Sequence, residues 1–317
     1  MLIKVLDSAS LGEDTPIKEY LSGFGELQIY ANTTDCEMEE RIRDAEVIVL
    51  NKIKITEKVL SYAKALKLIC VFATGYDNID LNAARRHGVA VCNVPAYSTE
   101  SVAQFTLSTV LALASHLFEY RRFVTDGEYT RLGVPNRLIP VYHEIAGKTW
   151  GIIGYGNIGK AVGRVAESLG ARVIVNKRTP VDGVECVDVD TLCRESDIIT
   201  LHCPLNDGTR GIISRERLKL MKPEVILVNE ARGAVLDEAA VAEAVREGRI
   251  AAFGSDVYST EPFCESHPYT SIMKLDNVIF TPHAAWGSYE ARCRCISVIA
   301  DNISAFVDGK ILNRVDI

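Results

Sequence analysis

Three glycines, Gly154, Gly156 and Gly159, lie where a short apolar run passes into a helical pattern. In G-x-G-x-x-G spacing, the first makes a tight turn, the second lets the backbone approach a pyrophosphate, and the third lets helix and strand pack closely. Backbone N–H groups of Asn157 and Ile158 would then point at an anion from the start of a helix. The motif therefore predicts a strand–turn–helix unit that binds a dinucleotide through its phosphates.

Short apolar runs alternate with helical patterns on both sides of this motif. The predicted strands are 3–6, 27–30, 47–50, 68–72, 89–92, 149–153, 172–176, 197–201, 225–229, 251–255 and 277–280. Such alternation indicates parallel sheets covered by helices on both faces, an α/β class of fold. Glycines also cluster in ordinary turns, so this context is what favours a dinucleotide site.

The length of 317 residues suits two domains, each large enough for its own core. A long helical pattern over 98–120 could carry the chain into a second domain, and an amphipathic helix over 290–307 could return it. We therefore expect residues 1–97 and 288–317 to form one domain, with 98–287 as an inserted dinucleotide-binding domain. Residues 125–144 are predicted to form an irregular arm, which could pack on a second subunit.

Composition excludes several classes of partner. The net charge of −7, with both signs interspersed, argues against nucleic acid and against an anionic membrane surface. The longest apolar run, 105–117, is shorter than the roughly 18–20 residues that span a bilayer, and the first residues lack a signal-peptide layout. A cytoplasmic location is therefore expected. The nine scattered cysteines contain no CxxC pair and are read as reduced thiols, with no metal site.

The end of the second strand of the dinucleotide unit bears on cofactor choice. An NAD site usually has Asp or Glu about 20 residues after the glycine motif. Here the strand runs into Lys177 and Arg178, and Asp182 comes later. These two cations could bind a 2′-phosphate through charge-assisted hydrogen bonds, which favours NADP(H) over NAD. The alternative is that both are ordinary solvated surface cations.

Three side chains that follow predicted strands could act together on a small keto acid. Arg232 could grip a carboxylate with two parallel hydrogen bonds. His283 could give or take a proton near neutrality. Glu261 could orient the His283 ring and raise its pKa. The alternative for Arg232 is a surface arginine. A histidine taken singly is more often structural and a glutamate more often solvated, so it is the combination that supports a catalytic site.

Taken together, these segments resemble the D-isomer-specific 2-hydroxyacid dehydrogenase family. The resemblance covers nearly the whole chain. It is carried by residues 73–80, 93–103, 151–163, 201–205, 229–233, 256–262 and 281–286. Within the family, the segments ATGYDNID, NVPAYSTESVA and TPHAAW are most similar to hydroxypyruvate reductases, also called glycerate dehydrogenases.

The resemblance implies two flavodoxin-like or Rossmann-like doubly wound domains with the active site in a cleft between them, in a homodimer. It also implies that Arg232, Glu261 and His283 are the catalytic residues. Backbone N–H groups around Thr74 and Gly75 would share the substrate carboxylate with Arg232.

The resemblance further predicts contacts to the cofactor. Asp256 would hold the nicotinamide amide, and His202, Cys203 and Pro204 would line the adenosine side. The remaining predicted contacts are Tyr155, Glu230, Ala231 and Ala285. Three positions depart from the family pattern. Gln104 stands where many members have Glu, Glu230 where Thr or Ser is common, and Lys177 where NAD-preferring members have Asp.

The function predicted from the sequence is NAD(P)H-dependent reduction of a hydroxypyruvate- or glyoxylate-type 2-keto acid to the D-2-hydroxy acid. Alternatives within the class are NAD-linked dehydrogenases for D-lactate, phosphoglycerate or formate. Phosphoglycerate would require extra cations, and the 74–80 loop has none. A different class of alternative is a non-catalytic dinucleotide sensor, like the corepressors that share this fold.

Overall fold

Two compact units make up the computed structural model, which describes every residue from Met1 to Ile317. One unit combines Met1–Ser98 with Trp286–Ile317, and the other is Thr99–Ala285. The strands are β1 (Leu2–Val5), β2 (Glu26–Ile29), β3 (Val47–Leu50), β4 (Leu68–Val71), β5 (Ala90–Cys92), β6 (Thr149–Ile153), β7 (Arg172–Asn176), β8 (Glu185–Cys186), β9 (Ile198–Leu201), β10 (Ile226–Asn229), β11 (Ala252–Ser255) and β12 (Val278–Phe280). The helices are α1 (Ile17–Leu21), α2 (Asp35–Ile42), α3 (Glu57–Tyr62), α4 (Leu81–Arg86), α5 (Thr99–Ala114), α6 (Leu117–Thr125), α7 (Glu128–Leu132), α8 (Asn157–Ser168), α9 (Val189–Glu195), α10 (Arg215–Leu218), α11 (Glu238–Arg246) and α12 (Tyr289–Val307).

The first unit is built on a five-stranded parallel sheet in the order β2-β1-β3-β4-β5. Alternate residues of the central strands enter two separate cores. Val47 and Val49 pack with α12, whereas Ile48 and Leu50 pack with α2 and α3. Because both faces are covered, β3 and β4 are buried at every position and read as continuous apolar runs.

The second unit is built on a seven-stranded parallel sheet in the order β12-β11-β10-β9-β6-β7-β8. The chain moves outward from β6 to β8 on one side and then from β9 to β12 on the other. This is the Rossmann strand order with one added strand. Helices α5 and α8 cover one face of the sheet, and α9, α10 and α11 cover the other. The prediction of two parallel-sheet α/β domains is thus confirmed.

The single helix predicted over 98–120 is wrong. Helix α5 ends at Ala114, His116 adopts a left-handed backbone with φ of 48°, and α6 leaves at 62° to α5. His116 was therefore misplaced inside a helix. Apolar residues continue on both sides of the break, so their periodicity does not reveal one left-handed residue.

Smaller differences concern segments with weak patterns. Strand β8 was missed because two residues are too few to show an alternation, although it pairs with β7. The arm predicted over 125–144 contains α7 and is otherwise irregular. No single helix is long and apolar enough to cross a bilayer. The bent pair of α5 and α6, taken together, has the length and the apolar composition of a membrane span, and nothing else indicates one.

Candidate active site

The predicted site residues of the second unit follow the carboxyl ends of its parallel strands. In sheet order they are His283 after β12, Asp256 and Glu261 after β11, Glu230, Ala231 and Arg232 after β10, His202, Cys203 and Pro204 after β9, the glycine loop after β6, and Lys177 and Arg178 after β7. Ligands of open α/β sheets bind at this edge, where the strand order reverses. One edge therefore collects these residues from segments about 130 positions apart in sequence.

The glycine loop after β6 has the geometry that a pyrophosphate requires. Gly154 has φ of +94°, and a Cβ there would lie 2.4 Å from the backbone nitrogen of Cys203. A Cβ on Gly159 would lie 2.3 Å from the carbonyl oxygen of Gly154, whereas one on Gly156 would enter open space. Gly154 and Gly159 thus lie where a side chain would not fit, and Gly156 faces open space.

Helix α8 begins directly after this loop, and no side chain caps its first turn. The first backbone N–H groups of a helix have no partner within the helix, and its dipole favours an anion. Asn157 is exposed and Ile158 half-buried at this end, whereas the Tyr155 ring is buried against Gly163 of α8. The uncapped helix and the open space at Gly156 fit a dinucleotide phosphate.

The corner after β7 carries the two predicted cations. Lys177 and Arg178 are exposed, and neither forms an ion pair. Asn176, at the strand end, uses its side-chain amide to donate to the carbonyl oxygen of Val187. The corner therefore offers two uncompensated positive charges.

His283 and Glu261 form a close pair. The Nδ1 atom of His283 lies 2.6 Å from Oε2 of Glu261, and the other oxygen of Glu261 accepts from the backbone N–H of Tyr258 at 3.0 Å. Because an ionised carboxylate can only accept, Nδ1 carries the proton in this arrangement. The Nε2 atom is then left to exchange a proton with a ligand.

Asp256 fixes the loop that carries His283. Its Oδ1 accepts from the Thr281 hydroxyl at 2.6 Å and from the Ala284 N–H at 2.8 Å, and its Oδ2 accepts from the Ala285 N–H at 2.8 Å. His283 has a left-handed φ of 55°, which a bulky side chain rarely adopts. These hydrogen bonds stabilise that backbone, so the buried Asp256 positions the histidine whatever else it contacts.

Gly233, the residue after Arg232, lets the backbone touch the loop that carries Glu261. A Cβ on Gly233 would lie 2.0 Å from the backbone of Tyr258 and Ser259. The Arg232 guanidinium is half-buried, donates to the carbonyl oxygen of Ala231 at 2.8 Å, and forms no ion pair. The site thus combines a paired histidine and glutamate with a guanidinium that has no carboxylate partner and that follows the neighbouring strand β10.

Comparison with known proteins assigns the family. Residues 107–285 match the model of the D-isomer specific 2-hydroxyacid dehydrogenase NAD binding domain. A hydroxypyruvate reductase of Blautia hydrogenotrophica is 35% identical over all of both chains, and a glycerate dehydrogenase of Methylorubrum extorquens is 36% identical over 98% of each. The D-lactate dehydrogenase of Aquifex aeolicus, solved with NAD and lactic acid, superposes with a TM-score of 0.87 at 30% identity, covering 100% of this chain and 99% of that one. The chain belongs to the D-isomer-specific 2-hydroxyacid dehydrogenase family.

As a 2-hydroxyacid dehydrogenase the chain is an oxidoreductase that uses a nicotinamide dinucleotide, and the resemblance drawn from its motifs is confirmed. The other predicted substrate contacts, Thr74 and Gly75, lie in the first unit in the loop after β4. The Thr74 hydroxyl donates to the Val94 carbonyl oxygen at 2.8 Å, and the Thr74 carbonyl accepts from the Asn93 side chain at 2.7 Å. These two hydrogen bonds fix the backbone of that loop at Thr74.

Two predicted contacts of this dehydrogenase are buried without partners. Both ring nitrogens of His202 and both carboxyl oxygens of Glu230 are inaccessible to solvent and make no hydrogen bond. Burial lowers the pKa of His202 to about 3 and raises the pKa of Glu230 well above its usual range, with Asp256 adding to the rise. Burial therefore favours the uncharged form of both side chains. Of the other predicted contacts, Cys203, Ala231 and Ala285 are buried and Pro204 is exposed.

The sequence reading missed the residues that hold the Glu261 loop. The buried Glu238, first residue of α11, accepts from the Ser259 N–H at 2.9 Å and from its hydroxyl, and its Oε2 lies 3.1 Å from Nε2 of His267. His267 Nδ1 in turn accepts from the Tyr269 N–H at 3.2 Å. Asn229 plays a similar part in the Arg232 turn, accepting from the Ala231 N–H at 3.0 Å. No local sequence pattern identifies these partners. The one available signal was that Glu238 is an acidic residue in the first turn of a helix.

Proposed function

We propose that this chain reduces a small 2-keto acid of the hydroxypyruvate or glyoxylate type to the D-2-hydroxy acid. The observation that carries the proposal is the 2.6 Å pair between His283 and Glu261. It is supported by the Arg232 guanidinium, which has no carboxylate partner and follows the neighbouring strand β10. These are the three functions that such a reduction needs from the protein: a carboxylate anchor, a proton donor and a group that tunes the donor.

In this proposal Arg232 binds the substrate carboxylate through two parallel hydrogen bonds, which also orients the carbonyl carbon. The protonated His283 gives the proton on Nε2 to the carbonyl oxygen as that oxygen becomes an alcohol. Glu261 stabilises the imidazolium through Nδ1 and so keeps the donor charged until the transfer. The bound dinucleotide would supply the hydride. In the oxidative direction His283 accepts the proton instead.

We propose NADPH as the preferred cofactor. The support is the pair of exposed, unpaired cations Lys177 and Arg178 at the end of β7, where an NAD site usually has a carboxylate. A 2′-phosphate carries nearly two negative charges and accepts charge-assisted hydrogen bonds from such groups.

We also propose a homodimer formed through the arm after α6. Leu138, Ile139 and Val141 are 72%, 68% and 67% exposed, which is unusual for three apolar side chains within four residues. Light scattering after gel filtration should give twice the chain mass. Ile139→Asp with Val141→Asp should give the monomer mass, whereas Ile311→Asp, at an equally exposed apolar residue of the first unit, should not.

The decisive experiment for the activity is a panel of 2-keto acids assayed with NADPH and NADH in parallel. Hydroxypyruvate and glyoxylate should be turned over with the highest kcat/KM, and NADPH should be preferred. A higher kcat/KM for pyruvate, phosphohydroxypyruvate or, in the oxidative direction, formate would replace the proposed substrate class. A protein that binds NADPH tightly yet consumes none with any member of the panel would be a sensor and not a reductase.

A further inference from the structure

His202, Glu230 and Asp256 form a row across three neighbouring strands. The register pairs Leu201 with Asn229 and Asn229 with Ser255, and the next residues of β9, β10 and β11 are these three. The ladder continues past the strand ends, because the Asp256 N–H donates to the Asn229 carbonyl oxygen. Neighbouring strands lie about 4.8 Å apart, so the three side chains are adjacent.

All three side chains lie on the sheet face that α5 covers. Side chains alternate along a strand, and a Cβ on Gly254, two residues before Asp256, would meet Thr109 and Leu113 of α5. Val228, two residues before Glu230, belongs to the same core as α5 and α8. Glu230 is 8% exposed and Asp256 is 1% exposed, and the ring nitrogens of His202 are inaccessible to solvent, so the polar atoms at these positions are buried.

Two of these three side chains, His202 and Glu230, have polar atoms without hydrogen-bond partners. Backbone and hydroxyl donors occupy the Asp256 carboxylate, but nothing binds the Glu230 oxygens or the His202 nitrogens. A buried polar group without a partner costs about 1–3 kcal/mol, and an ionised one costs far more. Unpaired polar atoms in such positions indicate a ligand that completes them.

The charged group that acts most strongly on Glu230 is an acid and not a cation. Asp256 on β11 is the charged group whose field reaches it most strongly, and Tyr258 lies just beyond. His202 on β9 is neutral, and the only charged residue of α5 is Glu100, which is exposed. Arg232 follows two residues later with its own hydrogen bond to Ala231. A positive charge entering this row would meet two neighbouring carboxyl groups, those of Asp256 and Glu230.

We infer that Glu230 is a redox-state reader of the cofactor, a buried acid that loses its proton when the oxidised nicotinamide binds and keeps it when the reduced form binds. The oxidised ring is positive and the reduced ring is neutral, and a nearby positive charge favours the ionised form of a carboxyl group. The O–H bond of Glu230 breaks and the proton passes to solvent. The inference rests on the proposed dinucleotide site, whose phosphate cradle lies two strands from β10.

The test measures protons and not turnover. Titration calorimetry of NADP⁺ and NADPH into the intact protein, at one pH in buffers of different ionisation enthalpy, gives the number of protons released by each form. We expect the oxidised form to release about one proton more than the reduced form. Protonation of the 2′-phosphate is common to both forms and cancels in this difference.

Variants assign the proton to one residue. Glu230→Gln keeps the shape and cannot ionise, so the difference should fall to near zero, and Glu230→Thr should behave likewise. Glu224→Gln, at an exposed glutamate just before β10, should leave the difference unchanged. In the wild-type protein the Kd of NADP⁺ should fall relative to that of NADPH by up to about tenfold per pH unit, and in Glu230→Gln the ratio should stay flat.

Equal proton release by both cofactor forms of the wild-type protein would overturn the inference, as would an unchanged difference in Glu230→Gln. Keto-acid turnover measured on the same protein separates the two proposals. Turnover without a proton difference defeats only the role of Glu230, and a proton difference without turnover defeats only the reductase. A protein that binds neither cofactor form defeats both.

Discussion

The carboxyl edge of the seven-stranded sheet has two halves that are built by different means. At β6 and β7 the site consists mainly of backbone, a glycine turn and an uncapped helix start, with two exposed cationic side chains at its edge. At β10, β11 and β12 it consists of side chains held by one another, with Asp256 binding the His283 loop and Glu238 binding the Glu261 loop. The first half is encoded locally, and the second depends on contacts between distant segments.

The difference teaches where each kind of function is placed. Phosphates are common to all dinucleotides, and backbone N–H groups bind them with little demand on side-chain chemistry. Proton transfer requires specific groups at hydrogen-bond distance, which a network of buried partners has to hold in place. Substitutions in the two halves should therefore differ in kind: loss of chemistry in one, change of cofactor selectivity in the other.

The largest effect is expected at His283. His283→Asn removes the proton donor and should lower kcat by about 10²- to 10⁴-fold while the Kd of NADPH stays nearly constant. His143→Asn, at an exposed histidine in the arm, is the matched control. Steady-state kinetics together with cofactor fluorescence titration measure both quantities. A kcat within threefold of wild type would show that the side-chain half does not perform the chemistry.

The second-largest effect is expected for Arg232→Ala. Loss of the carboxylate anchor should raise KM and lower kcat/KM by the equivalent of roughly 2–5 kcal/mol. Arg232→Lys should recover only part of this, because an ammonium group cannot bind a carboxylate in bidentate fashion. Arg210→Ala, at an exposed arginine without an ion pair, serves as control. An unchanged kcat/KM in Arg232→Ala would remove Arg232 from the site.

In the backbone half, Lys177→Asp combined with Arg178→Ala should change selectivity and leave the chemistry intact. The ratio of kcat/KM for NADPH to that for NADH should fall roughly 10- to 100-fold, which corresponds to about 1.4–2.8 kcal/mol for the two cations together, because solvent screens exposed charges. Lys274→Asp, near the amino end of β12, is a control for added negative charge. If the ratio does not move, the 2′-phosphate assignment is wrong.

The smallest effect concerns stability at Glu230, which belongs to the buried half. Its pKa is raised in the folded protein, so wild-type stability is fully present below the ordinary pKa of about 4.5 and is lost as the pH rises towards the folded pKa. Glu230→Gln has no such loss. As the pH rises above about 4.5, the free energy of unfolding of Glu230→Gln should therefore increase relative to that of the wild-type protein, by up to about 1.4 kcal/mol per pH unit. Urea unfolding of the cofactor-free protein at several pH values measures this, and a gain independent of pH would contradict the buried acid.

The sequence by itself determined the alternation of strands and helices, the position of the dinucleotide turn and the family. These features follow from short-range physics: a period of apolar residues, a glycine where a Cβ cannot fit, and a polar residue at a strand end. Even here the left-handed break at His116 escaped notice, because one backbone angle leaves no trace in an apolar period.

Only the tertiary structure decided which side chains meet and in what environment. The partners Glu261 and His283 are 22 residues apart, and Ser259 and Glu238 are 21 apart. In the sequence Glu230 is an acid after a strand, at a position where Thr or Ser is common in the family, and its burial comes from the sheet register that places it beside Asp256. Burial and charge at a site are sums over neighbours that fold in from elsewhere, so no local pattern contains them.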